Sequence, residues 1–174
     1  VVSSGDPGVF AMAAAVFEAL ENGPKDWLNI DISVLPGITA MLAASARAGA
    51  PLGHDFCAIN LSDNLKPWSI IEKRLRLAAE ADFAMAFYNP RSKSRPEGFE
   101  RTLEILKDAC GDDRPVIFAR NVSRPDETIK IVPLSQTTAD MADMRTMVLV
   151  GSSQTRIIER EIGTIVYTPR SLTK

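Results

Sequence analysis

The sequence predicts an α/β fold in two units with a ligand cleft between them, and three observations carry that prediction. Short apolar, β-branched segments alternate with helical patterns along most of the 174 residues, as strands joined by crossover helices do. Segments 82–88 and 116–119 are apolar almost throughout. Strands buried on both faces read this way, so a largely parallel sheet is expected, closing with strands that pair antiparallel. Pro36-Gly37 breaks the chain between a strand pattern and a helix pattern. It marks the predicted boundary between a unit of residues 1–35 and a unit of residues 36–174.

The elements follow in order. Val1 through Phe10 reads as the end of a buried strand, a glycine turn and a helix start, with Asp6 as cap and Pro7 in the first turn. Phe10 to Leu20 is Ala-rich and apolar almost all round, which predicts a helix packed on several sides. Leu28 to Leu35 alternates through Ile30, Ile32 and Val34 and predicts a strand. Ile38 to Ala48 is a second Ala-rich helix. Phe56 to Leu61 is a short strand. The helix opened by Pro67 turns Trp68, Ile71, Leu75 and Ala78 to one side, with Glu72 and Arg76 paired on its outer face. After the apolar strand to Tyr88, residues 89–96 form a basic loop, followed by a helix that presents Phe99, Leu103, Leu106 and Cys110. Val116 to Ala119 and Thr128 to Val132 are strands, Ser135 to Met141 a short helix, and Thr146 to Val150 and Thr164 to Tyr167 the closing strands.

Composition narrows the function. Hydrophobic residues make up 45% and charged residues 24%, with a formal charge of −2, so no electrostatic attraction to nucleic acid is expected. Cys57 and Cys110 lie far apart without a metal or redox spacing, and the single histidine, His54, excludes a multi-histidine metal site and a triad drawn from several candidates. No apolar run is long enough for a membrane span and no signal-peptide pattern opens the chain, so a cytoplasmic location is the default expectation.

Four motifs carry chemistry. Gly5-Asp6-Pro7-Gly8 leaves bare backbone for a ligand at a strand's carboxyl end. A carboxylate there competes with phosphate for helix-terminal amides and suits ribose hydroxyls, an ammonium or a sulfonium. The sequence has neither a GxGxxG pattern nor a Walker lysine motif, so a cationic adenosine ligand such as S-adenosylmethionine fits better than a nucleotide phosphate. In Pro36-Gly37-Ile38-Thr39-Ala40, Thr39 is placed to cap a helix or to meet an adenine or ribose. Phe87-Tyr88-Asn89-Pro90 ends a buried strand where ligands sit. Arg91, Lys93 and Arg95, with Arg120 and Arg124 after the next strand, are candidates for binding substrate carboxylates.

Together and in this order, these motifs resemble the tetrapyrrole methyltransferases. Within that family, Phe87-Tyr88-Asn89-Pro90-Arg91-Ser92, the run from Ala119 to Glu127 and the run from Thr146 to Ser153 are similar to the branch that methylates carbon 17 of the macrocycle. The resemblance covers essentially the whole chain. It implies the family fold, two α/β domains with S-adenosylmethionine in the cleft between them, and a homodimer. It implies methyl transfer to precorrin-3B, or its cobalt form, with ring contraction, and no strong nucleophile or metal from the protein. Carried over by position, it assigns cofactor contacts to Gly5, Asp6 and Val9, to Thr39 and Ala40, to Tyr88 and Asn89, and to Asn121 and Val122. Ser4 stands where many relatives have glycine. The family also has a strand and a Gly-x-Gly-Pro-Gly loop upstream of Gly-Asp-Pro, which this sequence does not contain. The resemblance therefore implies a truncated first domain and a chain that binds cofactor poorly by itself. Two other expectations stand beside this one: a methyltransferase of the same superfamily acting on protein or RNA, and a non-catalytic dimerisation or binding module.

Overall fold

The computed structural model describes residues 1–171; the last three residues of the predicted second unit, 172–174, lie outside them. The core is a five-stranded sheet with the strand order β2-β3-β6-β4-β5. Its strands are β2 (Phe56–Asn60), β3 (Ala84–Tyr88), β4 (Pro115–Arg120), β5 (Thr128–Pro133) and β6 (Thr146–Val150). A second sheet orders β1 (Gly49–Ala50), β8 (Ile165–Tyr167) and β7 (Arg156–Ile158) as β1-β8-β7. Neither β1 nor β7 has a periodic signal in the sequence, because they are only two and three residues long.

Within the five-stranded sheet only β2 and β3 pair in parallel; β3–β6, β6–β4 and β4–β5 are all antiparallel. The expected largely parallel sheet is thus corrected. Apolar runs report burial on both faces, and this sheet is covered on both, but they carry no information about strand direction. The β4–β5 link of residues 121–127 is short enough to return the chain only beside itself, which gives an antiparallel neighbour. β6 then runs back between β3 and β4.

Alternation sorts the strand residues between two covers. Met85, Phe87, Val116, Phe118, Val148 and Val150 face α3 (Trp68–Glu80) and α4 (Glu97–Ala109). Those helices bury Ile71 and Leu75, and Phe99 and Leu106, as their three- and four-residue spacing foretold. Each such side chain contributes about 1.5–3 kcal/mol. Phe99 meets Phe118 edge-on, with ring centroids 6.2 Å apart. On the outer face, Glu72 and Arg76 pair at 3.1 Å as expected.

The opposite face of the sheet carries Ala86, Ile117, Ala119, Met147 and Leu149 against α2 (Ala40–Ala48). Small residues explain the close seat of α2. Ala44 and Ala48 are buried in one cluster with Ala86 and Ala119, and α2 packs on the central strand β6, so helix and sheet backbones approach with little side chain between them.

The first 38 residues differ from expectation in three ways. Val1 and Val2 are fully exposed rather than part of a buried strand. α1 (Met12–Asn22) buries none of its residues, although its sequence is apolar nearly all round. Residues 28–35 do not form a strand: Lys25–Asn29 is a 3-10 turn, and the chain beyond it runs unpaired. A β-branched alternation fits a pleated, half-buried surface. Among the described residues no strand lies beside this segment, and Ile30 and Val34 stay half exposed.

Candidate functional site

The carboxyl ends of β3 and β4 and the start of β6 meet at one edge of the sheet, because β6 runs antiparallel to both neighbours. The amino end of α2 and the loop of residues 4–11 close over that edge. Between them lies a cavity of about 820 Å³. All nine residues assigned to cofactor binding line it: Gly5, Asp6 and Val9; Thr39 and Ala40; Tyr88 and Asn89; Asn121 and Val122.

The local chemistry of each wall differs from its expected form in instructive ways. Asp6 does not cap α1, which begins six residues later without a side-chain cap. Its carboxylate instead accepts the Gly8 N–H at 2.8 Å and the Gly37 N–H at 3.0 Å. The Gly37 bond above all, and then the Gly8 bond, hold this carboxyl below the usual aspartate range. Asp6 thereby clasps the first ligand loop to the second. The approach is close: a Cβ on Gly37 would stand 2.1 Å from the Gly5 carbonyl oxygen. Gly5 itself has φ +78°, and no atom comes within 3.7 Å of the place a Cβ would take.

Thr39 sits at the cap position of α2 without using its hydroxyl to cap; its carbonyl accepts the Leu42 and Ala43 N–H groups at 3.1 Å. The buried hydroxyl meets the Tyr88 hydroxyl instead, and Tyr88 Oη also accepts the Met41 N–H at 3.3 Å. Tyr88 thus pins α2 to the end of β3, and its ring stands 4.9 Å from that of Phe10. Asn89 donates to Asn60 Oδ1 at 3.1 Å, and Asn121 donates to Asp126 Oδ2 at 2.6 Å.

Backbone strain concentrates here. Five described non-glycine residues have positive φ, and four of them (Phe10, Asn89, Asn121 and Ser123, at +50° to +64°) line this cavity. Left-handed backbone costs L-residues on the order of 1 kcal/mol each, and such residues gather at functional sites.

The cationic residues are not brought together. Of Arg91, Lys93, Arg95, Arg120 and Arg124, only Arg124 lines the cavity. Arg120 is held by Asp143 at 3.0 Å and Asp126 at 3.8 Å. Arg95 lies 4.0 Å from Asp63. Arg91, whose Nε is buried without a partner, and exposed Lys93 stay on the loop that follows Asn89. Residues outside the assigned set also line the cavity, notably Phe10, Met144, Arg145 and Met147. Met144 and Arg145 come from an unremarkable polar turn, and only the antiparallel entry of β6 delivers them here.

No histidine or cysteine is among the lining residues. The cavity offers hydroxyls, amides, an aromatic face, carboxylates and two guanidiniums, a set suited to holding and orienting a ligand.

The model of the tetrapyrrole (corrin/porphyrin) methylases matches residues 1–138. The chain belongs to that family. It is 57% identical over 171 residues to the precorrin-3B C(17)-methyltransferase of Sinorhizobium sp., covering 98% of this chain and 67% of that relative. It superposes on the crystal structure of the methyltransferase CobJ with a TM-score of 0.92 at 64% identity, covering 97% of this chain and 69% of that one. The tetrapyrrole methylase fold extends to the uroporphyrin-III C-methyltransferase of Thermus thermophilus, solved with S-adenosylhomocysteine. The TM-score there is 0.58 at 22% identity, over 84% of this chain and 60% of that one.

Proposed function

We propose that the chain is an S-adenosylmethionine-dependent C-methyltransferase of cobalamin biosynthesis, acting at carbon 17 of precorrin-3B or its cobalt form with contraction of the macrocycle. The observation that carries this reading is the likeness, over nearly the whole chain, to a relative named for that activity. The cavity supports it. Its volume falls in the range of ligand sites, about 300–1,000 Å³. The bare backbone of Gly5, the buried Thr39 hydroxyl and the Asp6 carboxylate fit an adenosine that carries a sulfonium, and no P-loop or dinucleotide glycine pattern suits phosphate instead.

When bound, S-adenosylmethionine supplies a methyl group whose bond to sulfur breaks, with its electron pair going to sulfur, as the bond to the macrocycle carbon forms. The protein's part is placement, because in-line geometry supplies most of what such a transfer needs. In this reading Gly5, Asp6 and Val9, Thr39 and Ala40, Tyr88 and Asn89, and Asn121 and Val122 hold the methyl donor. Arg124, with Arg145 beside it on the wall, meets substrate carboxylates. Arg91, Lys93, Arg95 and Arg120 guide the same carboxylates from outside the cavity. Residues 1–35 belong to the first domain and 36–174 to the second. The enzyme is a cytoplasmic homodimer.

Titration calorimetry with S-adenosylhomocysteine, followed by an assay with precorrin-3B, tests the reading on the protein translated from its complete reading frame. Stoichiometric binding and a singly methylated, ring-contracted product are expected. Failure to bind S-adenosylmethionine or S-adenosylhomocysteine would sink the enzyme reading in favour of a binding module. Binding with turnover of a different tetrapyrrole only would move the chain to another branch.

A further inference from the structure

Residues 121–127, between β4 and β5, form one wall of the cavity under unusual constraint. Asn121 and Ser123 both adopt left-handed backbone, at φ +50° and +64°, a conformation that persists only where its surroundings over-determine it. The backbone turns within the segment, Arg124 N–H to the Asn121 carbonyl at 3.0 Å and Glu127 N–H to the Arg124 carbonyl at 3.1 Å, close it, and the Asn121 N–H on the Arg145 carbonyl at 3.1 Å ties its start to the β6 side of the cavity, but none of these bonds fixes it against α2. Glu127 does that. Its Oε2 accepts the Ser123 N–H at 2.6 Å. Its Oε1 takes Nε and Nη2 of Arg47, both at 2.7 Å. Arg47 lies in the last turn of α2, and the first turn of the same helix carries Thr39 and Ala40 on another cavity wall. Ala44, between them, and Ala48, just after Arg47, seat α2 against the sheet. One carboxylate therefore joins the strained wall to the rigid element that carries the opposite wall. The Glu127 side chain is 15% exposed and lines no part of the cavity itself. The Ser123 N–H, then the Arg47 guanidinium, hold its carboxyl below the usual glutamate range, so it is charged at neutral pH.

We infer that Glu127 is a positioning residue for methyl-donor binding: through the Ser123 N–H and Arg47 it holds Asn121 and Val122 at a fixed distance from Thr39 and Ala40. The inference rests on the cofactor reading above. Preorganised loops gain affinity because less ordering is left to be done on binding, so the effect belongs to donor binding and not to chemistry or to the tetrapyrrole.

The test uses Glu127→Ala, Glu127→Gln and Arg47→Met, with S-adenosylhomocysteine calorimetry, steady-state kinetics and amide exchange at Ser123. Glu127→Ala is expected to weaken S-adenosylhomocysteine about tenfold and to raise the KM for S-adenosylmethionine alike, with kcat and the tetrapyrrole KM within about twofold. Exchange at Ser123 accelerates. Glu127→Gln keeps an acceptor for the Ser123 N–H and Arg47→Met keeps the carboxylate, so each loses only about threefold. Unchanged donor affinity in Glu127→Ala would overturn the inference, as would equal losses in the Ala and Gln variants or a parallel fall in kcat. If Glu127→Ala does not fold, wild-type affinity in both other variants would overturn it. A wild-type protein that binds no S-adenosylhomocysteine would instead remove the cofactor reading, and this inference with it.

Discussion

Two regions of this molecule are similarly apolar and behave in opposite ways. Residues 39–171 build a sheet covered on both faces, with Ala84–Phe87 and Thr146–Val150 wholly buried. Residues 1–38 bury nothing, and Phe10, Met12, Phe17, Trp27, Leu28 and Leu35 are all more than two-fifths exposed. Yet both regions supply walls of the same cavity. Apolar composition therefore states what a segment could bury. Placement against a sheet decides what it does bury. The Phe10 ring meets Tyr88 of the second region at 4.9 Å, whereas the Asp6 carboxylate on the Gly8 and Gly37 amides ties two loops inside the first region.

The largest consequence is energetic. Phe87, fully buried in β3, should cost about 3–5 kcal/mol on replacement by Ala, whereas Phe17→Ala in α1, 43% exposed, should cost under about 1 kcal/mol. Denaturant unfolding of the two variants checks the contrast, and equal losses would erase it. Amide exchange should divide the chain at the same place. Residues 1–38 should exchange through local opening, and β3, β4 and β6 only on global unfolding; protection of α1 equal to that of β6 would contradict the comparison.

A site-directed change in the first region should reverse the order of effects. Gly37→Ala puts a methyl 2.1 Å from the Gly5 carbonyl oxygen, so the two ligand loops must part. Binding of S-adenosylhomocysteine should fall at least about tenfold, while the unfolding midpoint barely moves because no core is touched. Calorimetry beside thermal unfolding separates the two.

The smallest expected effect is the pH response of Asp6. Its folded-state carboxyl titrates below the ordinary value, near 3.9. The clasp is thus complete above about pH 4 and is lost as pH falls through the lower folded value. Donor affinity should decline in that acid window in the wild type, and Asp6→Asn should lose this dependence. A decline beginning near neutral pH would implicate another group.

The helices and strands around the core were legible because burial writes itself into spacing. Ile71 and Leu75 announce α3, and alternate positions of β4 fall to opposite covers as their period requires. The convergence of all nine cofactor candidates on one cavity was legible too, because their motifs follow strand ends or open helices. Strand direction was not, because Val148 and Leu149 look alike in either orientation. Residues 28–35 misled because alternation describes a surface without naming its neighbour. The Glu127–Arg47 tie was invisible, since 80 residues separate the partners and no motif links them.

The cavity walls run from Ser4 to Met147 in the chain, and this has a kinetic consequence. Contacts that distant in sequence close late, after the loop entropy between them has been overcome. The strand pair β2–β3 and the helix pair α3–α4 can form from nearby residues, whereas this cavity needs both extremes of a span of more than a hundred residues. A chain still folding thus presents no finished site, and capture of a small ligand becomes a report that the last long-range contacts are in place.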